Sequence, residues 1–166
     1  NLKPMNMHQN NPHHDLRLDM HTLKTMENYR ILLVEAGISE RDMALALIAA
    51  WFHDFGKRDP DIGFAKDGNP DHFSYHGHEH VSGDLADVFL KSIGIGSDDR
   101  KFICTIIRCH MLPHAHTGKW TKRQMGKLRR RTTIEGQDRD DIWKFVMWHA
   151  HADAAAKSID SRLEDF

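Results

Sequence analysis

Apolar and polar positions follow a helical period along most of the chain, and no segment shows the strict alternation of a strand. The pattern therefore predicts an all-α fold. The first helix starts near Asp19 and ends before Gly37, a residue type suited to the position after a helix end. Its apolar stripe consists of Leu23, Met26, Leu33 and Ala36.

The most apolar segment is predicted to form the centre of the fold. Residues 44–55 are all apolar except His53 and Asp54, and Gly56 ends the run. A helix that is apolar on all sides is normally buried in the middle of its domain. We therefore expect a helical bundle around this helix, with His53 and Asp54 at its C-terminal end.

Further helices are predicted over residues 78–93, 97–110, 121–131 and 138–157. Ser39 with Asp42 resembles a capping box at the start of the central helix. Residues 1–14 are polar and contain two prolines, which indicates an N-terminal arm. Residues 57–77 show no period, and a loop of this length in a compact domain is usually functional or disordered.

Length and composition indicate a single cytoplasmic domain, residues 1–166, with almost no net charge. The chain has 23 Lys and Arg against 24 Asp and Glu, so nothing in its overall charge favours nucleic acid or a membrane surface. Cys104 and Cys109 are too few for a disulfide framework, and we interpret both as buried thiols in a reducing compartment. No apolar run approaches a membrane span, and no signal peptide is evident. The first residue is Asn1 rather than Met, which leaves open whether the chain is a piece of a longer protein.

Fourteen histidines are the unusual feature of the composition, and two kinds of argument select among them. His53 and Asp54 end the apolar run, where an isolated buried charge is costly unless it is paired or bound to a metal. The alternative is that both are partly exposed at the helix terminus, where His⁺ complements the helix dipole.

Helical phase selects the other candidates. His78 shares a stripe with Val81, Leu85 and Val88, whereas His80 is out of phase with it. His110 continues the stripe of Ile103 and Ile106 or Ile107. Asp153 follows Ile142, Val146 and His149, and His21 is less clearly phased.

Each candidate also has an ordinary structural explanation. A core histidine hydrogen-bonds to a backbone carbonyl, and Asp153 pairs with Lys157 or Arg162. Ligand-type side chains on the inner faces of four helices are nevertheless better explained by a shared metal site. Imidazole with carboxylate suits Mn, Fe, Ni, Co or Zn, with Mg as a further candidate, and two such cations bridged by a carboxylate form a common hydrolase centre.

These residues occur in the order His21, His53-Asp54, His78, His110, Asp153. In this order they resemble the ligand series of the HD superfamily of metal-dependent phosphohydrolases, including the two additional histidines of members that hold two metals. The likeness is greatest to the HD domain of bacterial CCA-adding tRNA nucleotidyltransferases, in residues 11–14, 21–23, 52–57, 77–80, 120–131 and 152–154. Nothing here resembles the nucleotidyltransferase head. The resemblance therefore implies the HD activity alone, which is hydrolysis of a phosphate ester in a nucleotide or an RNA end.

On this interpretation one divalent cation is bound by His21, His53, Asp54 and Asp153. A second is bound by His78 and His110, with Asp54 as the bridge, about 3.5 to 4 Å from the first. Water on the metal is acidic enough to attack phosphorus as hydroxide near neutral pH. Asp54 is thus predicted to be catalytic, as is Lys57, which stabilises charge on the phosphate oxygens.

A basic cluster of Lys127, Arg129, Arg130 and Arg131 is predicted to bind the phosphate or RNA backbone of the substrate, although a solvated helix face explains it equally well. His114, His116 and Trp120 fall in a predicted loop after His110. Two alternative functions stay open. One is a nucleoside mono- or triphosphate phosphohydrolase. The other is an RNA-binding module with a structural metal. Structural metal sites are usually closed, so a complete ligand set with space for water argues against this alternative. No membrane partner is expected.

Overall fold

The fold is known from a computed structural model that describes residues 2–11, 14–69, 71–116 and 118–158. Pro12, His13 and Arg162, which entered the sequence argument, lie outside these residues. The helices are α1 (Leu18–Glu35), α2 (Glu40–Phe52), α3 (His78–Ser92), α4 (Ser97–Cys109), α5 (Met111–His114), α6 (Lys122–Thr132) and α7 (Ile142–Ala154). The all-α prediction is confirmed, and within the described residues no helix has both the length and the apolar character needed to cross a membrane.

The long predicted loop contains more structure than its sequence indicated. It holds two 3-10 turns, Phe55–Arg58 and Lys66–Gly68, and two antiparallel strands, β1 (Phe64–Ala65) and β2 (Phe73–Ser74). Phe64 pairs with Ser74 and Ala65 with Phe73, and this pair is the one sheet within the described ranges. Strands of two residues are too short for an alternation to be visible in the sequence.

Several helix ends follow the predicted signals, and others differ. The Ser39 side chain accepts a hydrogen bond from Asp42 N at 3.2 Å and so caps α2. Gly37 adopts the left-handed conformation that follows α1, with φ 66°. However, α2 ends at Phe52 rather than at Gly56, and α7 spans fewer residues than the predicted 138–157.

Helix α2 packs against α1, α3 and α4, and α7 packs against α1 and α4. Ala46, Ala49 and Ala50 of α2 are fully buried, and their small side chains let the neighbouring helices approach closely. The predicted bundle around a central helix is confirmed. The expectation that α2 is buried on all sides is wrong in part, because Trp51 is 39% exposed.

The buried faces of α1 and α3 differ from the predicted stripes. In α1 the side chain of Leu23 is 51% exposed, whereas His21, Thr25 and Tyr29 are fully buried. In α3 Val88 is 71% exposed. The buried residues of α3 are His78, Ser82, Gly83, Ala86 and Leu90.

A close backbone approach explains the small residues on the buried face of α3. Gly56 N donates a hydrogen bond to Ser82 Oγ at 2.7 Å. A Cβ on Gly56 would lie 2.2 Å from the carbonyl oxygen of His78, so only glycine fits there. The turn after α2 and the start of α3 are therefore in direct contact, which brings His78 beside Asp54.

Candidate metal centre

Five separate segments bring the six predicted ligand residues into one buried cluster. His21 lies in α1, His53 and Asp54 directly follow α2, and His78 is the first residue of α3. His110 directly follows α4, and Asp153 lies in α7. Each of the six is buried. The structure thus brings together all the residues that the sequence predicted as metal ligands.

The first group of ligand atoms surrounds Asp153. The Nε2 atom of His21 lies 2.9 Å from Asp153 Oδ1, and that of His53 lies 3.8 Å from the same oxygen. One ligand atom from each of these three residues lies within 4.8 Å of the others. Asp54 Oδ2 faces this group as well, at 3.4 Å from His21 Nε2 and 3.3 Å from His53 Nε2.

The second group surrounds the other oxygen of Asp54. Asp54 Oδ1 lies 3.0 Å from His78 Nε2 and 3.9 Å from His110 Nε2. The two Nε2 atoms are 3.3 Å apart, and the three residues again offer ligand atoms within 4.8 Å of one another. Asp54 therefore presents one oxygen to each group, which is the geometry of a bridging carboxylate.

Backbone carbonyls orient all four histidine rings in the same way. Nδ1 of His53, His78 and His110 donates to the carbonyl three residues earlier, at 2.7 Å in each case. Nδ1 of His21 donates to Ala156 O at 3.0 Å. With the proton on Nδ1, the lone pair of a neutral ring is on Nε2 and points into the cluster. Such a bond to the distal ring nitrogen is usual for metal-binding histidines.

The cluster has more acceptor atoms than donors. His21 Nε2, His53 Nε2 and Asp153 Oδ1 are buried without a hydrogen-bond partner among the described residues. Two acceptors 2.9 Å apart, as in His21 and Asp153, need a positive charge on or between them. That charge is either a proton on His21 or a cation, and the donor set of imidazole and carboxylate fits a divalent metal.

The charge states also suit cation binding. Burial would raise the pKa of Asp54, but neighbouring His53 and Lys57 hold it well below its ordinary value. Burial, followed by the nearby His78, keeps the pKa of His110 well below its ordinary value. For His21 burial acts to lower the pKa, yet Asp153 and Asp54 outweigh it and raise the pKa to about 9. Metal ligands must be deprotonated, so His21 has to release a proton when a cation binds.

Lys57 adds a cation at the edge of the cluster. It lies in the 3-10 turn Phe55–Arg58 that follows the ligand pair, and its side chain is buried. Its Nζ is 2.7 Å from Asp54 Oδ2 and also donates to Gln9 Oε1 at 2.9 Å. Lys57 therefore lies next to the candidate ligand Asp54, and its role in catalysis stays a prediction.

A cavity of about 350 Å³ opens onto the cluster. Asp54, Lys57, His78 and Asp153 contribute to its walls, so a ligand in the cavity reaches both groups of ligand atoms. The remaining walls come from the N-terminal arm, the segment around β2, the start of α3, and α5. This shape permits chemistry at the centre, whereas a closed site would be structural.

Two histidines in this cavity were missed as site residues. His114 Nε2 lies 2.8 Å from Asp153 Oδ2, and the His14 ring is 5.0 Å from the His21 ring. His114 is four residues after His110, a spacing that places side chains on one helix face, but Pro113 suggested a helix end instead. His14 belongs to the N-terminal arm, and no local sequence pattern indicates that the arm approaches the cluster.

The three arginines predicted to bind substrate lie elsewhere. Arg129, Arg130 and Arg131 are exposed on α6 and are not among the residues that line this cavity. The Arg129 guanidinium lies over the Trp143 ring, 4.7 Å from its centroid. His80, for which no role was predicted, has its side chain 68% exposed.

Comparison with known proteins gives one family. Residues 18–157 match the HD domain family, a range that contains all six candidate ligands and leaves out the N-terminal arm. Neither curated proteins nor solved structures gave a match. HD domains are typically metal-dependent hydrolases, and the two His/Asp groups fit the divalent metal that such a domain implies. Since the match covers most of the sequence and its ligand series converges in space, the chain belongs to the HD domain family.

Proposed function

We propose that this chain is a metal-dependent phosphohydrolase that cleaves a phosphate ester in a nucleotide or an RNA end. The observation that carries the proposal is Asp54, whose two oxygens face two separate groups of imidazole and carboxylate ligands. A carboxylate shared in this way is typical of hydrolases that use two metals.

The proposed ligands are His21, His53, Asp54 and Asp153 for one divalent cation. His78, His110 and the bridging Asp54 would hold a second. Bound cations of this kind supply Lewis acidity to phosphoryl oxygens and lower the pKa of water. Their identity among Mn, Fe, Ni, Co, Zn and Mg is left to metal analysis.

The protein's own residues have distinct tasks in this proposal. The Nδ1 hydrogen bonds to backbone carbonyls fix the imidazole rings, so the ligands need no rearrangement during turnover. Lys57 directs its ammonium from the cavity wall at a non-bridging phosphate oxygen, where negative charge grows as the ester bond to the leaving alcohol breaks. The cavity walls hold the ester near the ligands.

RNA is supported as a substrate by the basic surface of α6. Residues 118–134 contain seven Lys and Arg and no acidic residue. Helix α6 packs on α7 and α4, the helices that carry Asp153 and precede His110. The resemblance to the HD domain of CCA-adding tRNA nucleotidyltransferases also favours RNA as the substrate. We propose that Arg129, Arg130 and Arg131 bind the phosphate backbone of RNA whose end occupies the cavity.

A free nucleotide is the second candidate substrate. The cavity of about 350 Å³ is near the lower end of the range for ligand pockets, about 300 to 1,000 Å³, and suits a mononucleotide better than a larger ligand. In that case the chain would be a nucleoside mono- or triphosphate phosphohydrolase, and the arginines of α6 would be dispensable.

The test begins with metal analysis of protein purified without chelator. Hydrolysis is then assayed with Mn²⁺ on bis-p-nitrophenyl phosphate, on nucleoside mono- and triphosphates, and on short RNAs with phosphorylated ends. Hydrolysis of at least one ester by metal-loaded protein, abolished by chelator, supports the proposal. Metal binding with no hydrolysis in the whole panel would contradict it and leave the RNA-binding module with a structural metal.

Charge removal on α6 decides between the two substrates. Replacing Arg129, Arg130 and Arg131 by glutamine should weaken binding to single-stranded RNA. The slope of log affinity against log salt concentration should also become shallower, by about 0.7 for each RNA phosphate that the variant no longer neutralises. Hydrolysis of a mononucleotide by the same variant should stay at the wild-type rate. Unchanged RNA binding would assign these arginines to a solvated helix face.

A further inference from the structure

The N-terminal arm precedes the residues that match the HD domain family, yet it contacts the candidate centre. Gln9 is almost completely buried, and it lines the cavity together with Asn11 and His14. The arm is also anchored by its backbone, since Phe73 N donates to Asn10 O at 2.6 Å. The arm is therefore a wall of the cavity, and its residues are available for a role in the site.

The orientation of the Gln9 side chain follows from its partners. A lysine ammonium only donates hydrogen bonds, so the atom that faces Lys57 at 2.9 Å must be the amide oxygen. The amide nitrogen of Gln9 then donates to Leu16 O at 3.3 Å. The backbone carbonyl of Gln9 accepts a hydrogen bond from the Tyr75 hydroxyl at 2.9 Å, which fixes the backbone at this point.

Lys57 has three N–H donors, of which two are directed at Asp54 Oδ2 and Gln9 Oε1. Among the described residues no third acceptor of Lys57 is found, so the third donor is open to a ligand in the cavity that Lys57 lines. Asp54 is also the proposed bridging ligand, so its oxygens are shared with cations in the loaded protein. Gln9 has no such competing task, and its oxygen remains directed at the ammonium.

We propose that Gln9 is a positioning residue that holds the Lys57 ammonium at the cavity wall, where it meets a phosphate oxygen. This inference rests on the proposed role of Lys57 as a phosphate-binding group. It adds to the site a residue that lies outside the range matched by the HD domain family. The arm of this chain is then part of the machinery that binds the phosphate.

The experiment compares two variants of the full chain in the wild-type background and in a Lys57→Met background. Gln9→Leu removes the acceptor of the Lys57 ammonium. Arg58→Met is the matched control, because it also removes one side-chain hydrogen bond to the arm, at Lys3 O, but Arg58 does not line the cavity. Hydrogen exchange of the metal-free proteins shows whether the arm stays in place.

Two quantities are measured on Mn²⁺-loaded protein. One is kcat/KM for the ester that the panel identifies, and the other is the affinity for inorganic phosphate by calorimetry. Gln9→Leu should lower both by about tenfold, as expected for one hydrogen bond to a charged group. The decrease should disappear in the Lys57→Met background, and Arg58→Met should resemble wild type.

An equal decrease in both backgrounds would overturn the proposal, because Gln9 would then act on the fold and not through Lys57. Unchanged phosphate affinity in Gln9→Leu, or a decrease of the same size in Arg58→Met, would also overturn it. Phosphate affinity separates this inference from the proposed function. If wild type hydrolyses no ester, the proposed function fails, while the dependence of phosphate binding on Gln9 and Lys57 is still decided.

Discussion

Replacing Asp54 by alanine removes the carboxylate that faces both groups of ligand atoms. The two cation positions then lack a shared negative charge, and the first group keeps Asp153 as its carboxylate while the second keeps only His78 and His110. We expect hydrolysis to fall by more than about 1000-fold, which corresponds to about 4 kcal/mol at 1.36 kcal/mol per factor of ten. Bound metal should fall from two equivalents to one or none.

The same change affects stability through Lys57. Its ammonium is buried and lies 2.7 Å from Asp54 Oδ2, so the alanine variant leaves a buried charge with Gln9 as its acceptor. Removing one partner of a buried ion pair costs about 3 to 5 kcal/mol, less the desolvation that the carboxylate no longer suffers. For a cost of about 3 kcal/mol, the melting temperature of a chain this size falls by about 6 to 12 °C.

Asp54→Asn is the matched control, because it keeps the shape and an oxygen acceptor for Lys57 but lacks the charge that a bridging ligand needs. Metal content, melting temperature and initial hydrolysis rates are measured on both variants and on wild type. Both variants should be inactive, and the alanine variant should be the less stable of the two, because only the asparagine variant keeps a hydrogen-bond acceptor for Lys57 at this position. Wild-type rates in either variant with metal bound would refute the bridging role of Asp54.

Three further predictions follow from the same structure. Gly56→Ala should destabilise the fold by about 1 to 3 kcal/mol, because its Cβ would lie 2.2 Å from His78 O, and urea unfolding that matches wild type would contradict this close approach. Adding Mn²⁺ to chelator-treated protein should raise the melting temperature, since a ligand at 100 times its Kd adds about 2.7 kcal/mol; an unchanged transition in scanning fluorimetry would count against the centre. Burial raises the pKa of the Cys104 thiol to about 11. At pH 8 its thiolate fraction is about 100-fold below that of an ordinary thiol, so iodoacetamide should label it only after unfolding, and rapid native-state labelling would contradict its burial.

The sequence predicted those ligands whose helices pack by a regular apolar stripe. Asp153 follows Ile142, Val146 and His149, and all three are buried on the inner face of α7. His78 was selected by a stripe that includes the exposed Val88, so the residue was placed correctly for a reason that the structure does not support. Small residues form the real interface of α3, and a hydrophobic pattern gives them little weight.

Contacts between distant segments were beyond the sequence argument. Gln9 and Lys57 are separated by 48 positions, and their hydrogen bond depends on how the arm crosses the start of the long loop. His114 belongs to a four-residue helix, α5, that contains Pro113, and proline after a helix usually indicates a break. Neither Gln9 nor His114 lies on an extended apolar stripe, so helical phase could select neither residue.

The ring of His21 depends on a partner from the far end of the chain. Its Nδ1 proton is bound by the carbonyl of Ala156, 135 positions later, whereas the other three rings use carbonyls of their own turn. His53 and His110 are thus aimed by carbonyls of the helices that they follow and His78 by the turn before α3, whereas His21 is aimed only when the segment after α7 lies against α1. Full cation affinity therefore requires both ends of the HD domain, and a chain shortened to end at residue 154 would keep all six candidate ligands without the orientation of His21.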